Sequence, residues 1–377
     1  MGSFPRYLPE VLIALVCCAA VAVLAHWAAS LGARRRRAAY AVLLALLATV
    51  GFATMLAAVR ISMHFDHVLV AWVRCLGLVL AALTVYACGF IGSMRKLRMF
   101  DPGRRRTLRL VTTAAIAAPA AVGSFAVIRR DNLTFRELDV RIPSLPPDLN
   151  GLRIAQLSDL HLSPLVDEST VRRAVSMANE LRPHLTFVTG DLISTKGDPL
   201  DVCLSRLSEL RAEAGLFGCM GNHEHYADAE DYTQREAARF GLRFLRREAA
   251  QLRFGSARLN LAGIDYQRRD QKYLVGMESL VDRESFNVLL SHNPDVFPVA
   301  TRQGYDLTIS GHTHGGQVNL EMIHPSLNIS RFYTPFVYGL YERERGRIYV
   351  SRGVGTIGLP ARLGAPPEVV LLRLCAI

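Results

Sequence analysis

The sequence predicts a chain in two parts: an all-α membrane region of about four helices over residues 1–131, then an α/β domain over 132–377. Three observations carry that prediction. Long apolar stretches crowd the first third, the excess basic charge is confined there, and the remainder alternates short apolar strands with amphipathic segments. Of the 44 Lys and Arg, 16 fall within residues 1–131, against 4 of the 33 Asp and Glu, and the remaining 28 basic and 29 acidic side chains nearly cancel. A duplex-binding protein would carry its excess Arg and Lys on the folded module that meets phosphates, so no nucleic-acid partner is expected.

The apolar stretches lie at about 9–31, 38–59, 68–94 and 110–128. Each is near or above the roughly 18 residues needed to span a bilayer, and none has the polar face of a soluble helix. Arg74 lies within the third and extends toward the headgroups. Basic loops follow the first span (Arg34 to Arg37) and the third (Arg95, Lys96, Arg98, Arg104 to Arg106, Arg109). The positive-inside bias makes both cytoplasmic, so a multi-pass cell-membrane protein is expected, with the second domain on the extracytoplasmic side. Arg105-Arg106-Thr107-Leu108-Arg109 before an Ala-rich run also reads as a twin-arginine-like export signal; retained span or signal, the domain reaches the same side.

After a Pro-rich link (Pro143, Pro146, Pro147), strands are predicted at 152–157, 185–188, 216–220, 258–264, 286–290, 306–310 and 347–351. Helix-like segments at 168–181, 199–212, 228–240, 271–282 and 295–302 separate several of them, which argues for much parallel sheet. The cysteines form no CxxC pair; Cys203 and Cys219 read as buried thiols, with a disulfide between them as the alternative if the domain is exported.

Polar residues gather where these strands end. Asp159 and His161 follow the first, Asp191 the second, Asn222 and His223 the third, His292 the strand at 286–290, and His312 and His314 that at 306–310. Loops at the carboxyl edge of such sheets converge while the strands behind hold them rigid. A hydrolytic centre of two transition-metal ions needs imidazole and carboxylate donors, with one anionic group between the ions. A lone His after a strand is ordinarily a satisfied structural residue, but five of the eleven histidines fall here together with both Asp and the Asn. His184, His225 and His324 read as surface or capping residues, and Arg352 as either a phosphate ligand or a salt-bridge partner. The Gly-rich run at 353–358 lacks a P-loop lysine.

In order, Asp159-Leu160-His161, Gly190-Asp191, Gly221-Asn222-His223-Glu224, His292 and Gly311-His312-Thr313-His314 resemble the calcineurin-like metallophosphoesterase family over most of 150–320. Gly315-Gly316-Gln317 and Val350-Ser351-Arg352-Gly353-Val354-Gly355 are similar to its bacterial membrane-associated branch, which is built around an N-terminal anchor or export signal. The resemblance implies a β-sandwich flanked by helices and two divalent metal ions, with Mn, Fe, Zn, Co and Ni all suited to these donors. It places Asp159, His161 and His314 on one ion, Asn222, His292 and His312 on the other, and Asp191 between them. A hydroxide between the ions is then the expected nucleophile. His223, catalytic with Asp191 and Asn222, donates a proton to the leaving oxygen or stabilises transition-state charge, and Glu224 orients its imidazole. The expected activity is hydrolysis of a phosphoester or pyrophosphate bond. A lipid-linked phosphate at the bilayer fits the expected placement, and a non-catalytic metal-stabilised binding or sensor module tethered to the membrane is the alternative.

Overall fold

The computed structural model describes residues 121–377. The predicted spans at 9–31, 38–59 and 68–94, and most of that at 110–128, lie outside the described residues. Residues 121–129 are helical, and among the described residues no helix is long and apolar enough to cross a membrane.

Twelve strands form two six-stranded sheets among the described residues. The first holds β1 (Thr134–Ile142), β12 (Glu368–Ala376), β2 (Arg153–Leu157), β3 (Leu185–Val188), β4 (Leu216–Gly218) and β5 (Leu242–Phe244), in that spatial order. From β2 to β5 all pairs are parallel, so β2, β3 and β4 end at the same edge. The second holds β10 (Gly339–Arg343), β11 (Gly346–Val350), β9 (Leu307–Ser310), β8 (Phe286–Leu290), β7 (Ala257–Gly263) and β6 (Glu248–Phe254). Here β11, β9, β8 and β7 are parallel, flanked by antiparallel β10 and β6.

Alternation along the strands builds three layers of core. Ile154, Leu185, Phe187, Leu259, Leu261, Val288, Leu307 and Leu372 meet between the sheets. Their strand neighbours Ala155, Val188 and Val369 face outward, where α1 (Glu168–Glu180) covers them with Val171, Ala174, Val175 and Ala178, one stripe of a 3.6-residue period. Helices α2 (Leu200–Leu207) and α4 (Glu230–Ala238) complete that layer with Leu204, Leu207 and Ala237. Behind the second sheet, Val296 and Ala300, at the start of and within α5 (Phe297–Gln303), pack with Ala262 and Leu289. The expected helix-flanked sandwich is thus the fold.

Several local expectations are corrected. The Pro-rich link is preceded by β1, which pairs along its whole length with β12, a strand also missing from the sequence reading. At 271–282 the chain makes only the short 3-10 turn Met277–Leu280, because Gly276 before it takes a left-handed φ of 76° that halts a helix. Cys203 and Cys219 are separate buried thiols, as expected.

Candidate metal centre

The carboxyl ends of β2, β3, β4, β8 and β9 deliver the chain's conspicuous polar residues to one place. Five of them have left-handed backbone, which for a non-glycine residue costs about 1–3 kcal/mol each: Asp159 (φ 51°), His161 (48°), Asp191 (56°), His312 (77°) and His314 (52°). The loops also approach closely. A Cβ on Gly190 would lie 2.4 Å from the backbone nitrogen of Gly221, and one on Gly311 would lie 1.9 Å from Ser158 Oγ. Glycine at both positions is what lets the loops after β2, β3, β4 and β9 interleave.

Asp191 is the hub. Its Oδ2 lies 3.0 Å from His292 Nε2, 3.5 Å from His161 Nε2 and 4.0 Å from His223 Nε2. His314 Nε2 is 3.1 Å from His161 Nε2 and 3.4 Å from Asp159 Oδ1. Donor atoms of Asp159, His161 and His314 fall within 4.8 Å of one another, and so do those of Asp191, His292 and His312. His161, Asp191 and His223 meet the same condition, which places His223 at the rim of the cluster. Asn222 is buried, and its Oδ1 has no hydrogen-bond partner.

Groups behind the donors fix them. His292 Nδ1 donates to Thr189 O at 2.7 Å, so its Nε2 carries the free lone pair when the ring is neutral. His161 Nδ1 meets Ser194 Oγ at 3.2 Å, and Asp159 Oδ2 accepts from Ser158 Oγ at 2.5 Å. Glu224 has a different role from the one expected. Its carboxylate accepts from the backbone N–H of Asp191, Leu192 and Gly221, at 2.8, 2.7 and 2.8 Å, and so clasps the β3 and β4 loops together. The imidazole of His223 is oriented instead by Ser194 O, bonded to Nδ1, while the His223 backbone N–H donates to Asp191 Oδ1 at 2.9 Å.

The electrostatics suit cations. Burial, reinforced by His223, pushes His161 down to about 3, and burial with His292 does the same to His312. Burial and His161 hold His314 well below its ordinary range. These imidazoles are therefore neutral and free to donate lone pairs. Burial opposes the His292 cation, yet the Asp191 carboxylate beside it prevails and lifts it to about 10. Burial would likewise raise Asp191, but His292 and His223 keep it well below the usual carboxylate range. Burial carries Asp159 up to about 6 despite His292. Two buried carboxylates (Asp159 and Asp191), an orphaned amide oxygen and neutral imidazoles are a donor set that fits divalent metal.

Sequence reasoning missed Arg362. It is fully buried, and its guanidinium donates to the carbonyls of His314, Arg352, Ala365 and Gly355 and lies 3.3 Å from His314 Nδ1. An arginine in Pro360-Ala361-Arg362-Leu363-Gly364 carries no motif that would single it out. Tyr266, whose ring centre is 5.6 Å from that of His312, was also missed; it lines a cleft of about 340 Å³ with Arg269, Asn293, His312 and Tyr333. Arg352 pairs with Glu368 at 3.4 Å and stacks on Tyr338, the salt-bridge option. His184, His225 and His324 bond locally, to Arg153 N, Glu230 and Ser326.

A helix-flanked β-sandwich whose strand ends converge imidazole and carboxylate donors defines a metal-dependent phosphoester hydrolase. Residues 152–316 match the family model for the calcineurin-like phosphoesterase. A Danio rerio protein, "Transmembrane protein with metallophosphoesterase domain", is 32% identical over 283 residues, 71% of this chain and 62% of that protein. An uncharacterized metallophosphoesterase of Campylobacter jejuni is 30% identical over 245 residues, 63% of this chain and 62% of its own length. Another, from Aquifex aeolicus, is 30% identical over 263 residues, 67% of this chain and 96% of its own. The alignments thus span 62% of the length of the first two relatives. The chain belongs to the calcineurin-like metallophosphoesterase family.

Proposed function

We propose that the chain hydrolyses a phosphate ester or pyrophosphate bond at a centre of two divalent cations, on a substrate at or near a membrane. The observation that carries the binuclear reading is the position of Asp191, whose Oδ2 lies 3.0 Å from His292 Nε2 and 3.5 Å from His161 Nε2, histidines of the two donor groups. Asp159, His161 and His314 would hold one ion, and Asn222, His292 and His312 the other, with Asp191 shared. Bound there, such a pair supplies acidified water and neutralises charge on phosphoryl oxygens.

The chain's own residues supply the rest. His223 keeps Nδ1 on Ser194 O, which leaves Nε2 as the atom that hands a proton to the departing oxygen. The same carbonyl stabilises the ring when protonated, because both nitrogens of an imidazolium are donors. Asp191, tied through Oδ1 to the His223 backbone N–H, sets the distance between proton donor and donor cluster. The cleft beside His312 gives the substrate its approach, with Tyr266 as an apolar wall and Arg269 as a cation.

A membrane setting is supported by the apolar stretches before residue 131 and by the Danio rerio relative's description as a transmembrane protein. The distribution of Arg and Lys favours an extracytoplasmic catalytic domain.

The test is hydrolysis of bis(p-nitrophenyl) phosphate by the full chain purified in detergent. Activity should require added Mn²⁺ and vanish with chelator. His223→Ala should keep the metal content while turnover falls about 10²–10⁴-fold, the usual contribution of a positioned acid. A wild-type chain that loads metal but stays inert would instead mark a binding module, and loss of metal in His223→Ala would move His223 into the ligand set.

A further inference from the structure

Residues 320–333 invert the usual distribution of polarity. Met322 is 86% exposed, Phe332 77%, Ile323 71% and Ile329 68%, and Leu320, Leu327 and Tyr333 join them at the surface. Meanwhile the asparagines that brace the segment turn inward. Asn319 and Asn328 are buried, and both donate to Gly315 O, at 2.9 and 3.2 Å. Asn328 also donates to Glu321, whose carboxylate accepts from Arg331 Nε at 2.6 Å and from the Tyr338 hydroxyl at 2.5 Å. Thr334 donates to Asp295 at 2.5 Å. The segment is therefore a braced protrusion with its hydrogen-bonding groups spent internally and its large apolar groups presented to the outside.

Single exposed apolar residues are ordinary, but a contiguous group of this kind marks an interaction surface. Its place narrows the choice. The bracing runs to Gly315, the residue after His314, so the protrusion grows out of the loop that carries a proposed metal ligand. Ser330, Tyr333 and Thr334 also form a wall of the cleft that reaches His312. An apolar surface is thereby continuous with the approach to the donor cluster.

We propose that residues 320–333 form a lip that enters the hydrocarbon edge of a bilayer, and that the substrate is an amphipathic phosphate ester whose acyl or alkyl chain stays in that bilayer while its phosphate reaches the donor cluster. This rests on the proposed phosphoester hydrolysis near a membrane and names its substrate class. The occupant is argued from two features. The segment has one acid and one arginine (Glu321 and Arg331), paired to each other, and a single histidine, His324, bonded to Ser326, so it offers no charge pattern for a protein or nucleic-acid partner. The sequence before residue 121 also carries the apolar stretches of a membrane region, which would keep this domain at a bilayer surface. Insertion of four large apolar side chains is favourable through removal of their surface from water.

The experiment compares two chromogenic diesters that differ only in their tail, methyl p-nitrophenyl phosphate in solution and hexadecyl p-nitrophenyl phosphate in phosphatidylcholine vesicles. Full chain, loaded with Mn²⁺ and reconstituted, should prefer the hexadecyl probe by at least about tenfold in kcat/KM, the equivalent of ~1.4 kcal/mol of apolar burial. The variant M322S/I323S/I329S/F332S should lose that preference while its methyl-probe rate and metal content stay unchanged. A preference that survives the four substitutions overturns the lip. Failure of wild type on both probes would instead sink the proposed hydrolysis, and the lip is then judged on Phe332→Trp. Its added emission should be quenched by brominated lipid, and that of Tyr232→Trp, on α4, should not. Equal quenching at both sites, or a dimer that the four substitutions dissociate, contradicts bilayer insertion.

Discussion

The two donor groups of the centre are built from matching parts but stand in different surroundings. Asp159, His161 and His314 lie deep, with the guanidinium of Arg362 behind His314. In the other group Asp191 and His292 are just as buried, but His312 lines the cleft with Tyr266 and Arg269, and the neutral oxygen of Asn222 is unpartnered. Placing a fixed cation behind one group and a substrate approach before the other makes the halves unequal. One is shaped by the fold behind it, the other by what enters the cleft.

The largest effect should come from the residue the halves share. Asp191→Asn removes the anion between them and leaves both groups short of a ligand, so the metal content of the purified full chain should fall below one ion and activity should drop by about 10³-fold or more. A variant that still holds two ions would break the comparison, because the halves would then be independent.

Next is Arg362→Met. The substitution takes the side-chain donor from the carbonyls of Arg352, Ala365 and Gly355, and leaving a buried acceptor unsatisfied costs about 1–3 kcal/mol, which urea denaturation of the full chain would register. Repulsion from the guanidinium should make the deeper ion of wild type the first to leave in a chelator titration. Simultaneous release of both ions would remove the asymmetry.

The smallest effect concerns the lip, which shares a loop with His314. Burial tends to raise Glu321, but bonds from Arg331, Tyr338 and Asn328 outweigh it and hold its carboxyl below the usual range. A carboxyl lowered on folding stabilises above its unfolded value, near 4.3, and that contribution is lost as pH falls through the lower folded value. Protection against hydrogen exchange at residues 319–331, taken relative to the intrinsic rate at each pH, should fall as pH drops below the unfolded value of about 4.3; protection lost on going alkaline instead would contradict the bracing.

How much of this was legible depends on range. The ligand inventory was readable because each loop has a short signature, such as Asp159-Leu160-His161 or Gly311-His312-Thr313-His314, and strand periodicity placed these at strand ends. Glu224 was misassigned because adjacency to His223 suggests a contact between their side chains. In α3 (Asn222–Tyr226) it sits instead at the third helical position, where a carboxylate reaches back to the N-terminal backbone N–H groups. Arg362 acts through backbone carbonyls of its own irregular loop and of His314, and backbone acceptors leave no side-chain signature to read. β1 and β12 pair across 234 residues, and β5 has only three residues, too short for a period to show. The lip escaped notice because exposed apolar residues become anomalous only once the fold reveals which side chains face outward.

The sharing of Asp191 by two cations is tested most directly by electron paramagnetic resonance of the Mn²⁺-loaded full chain. Two ions about 3.5–4 Å apart would give an exchange-coupled spectrum at two ions per chain. The isolated six-line signal of mononuclear Mn²⁺ at saturation would contradict it.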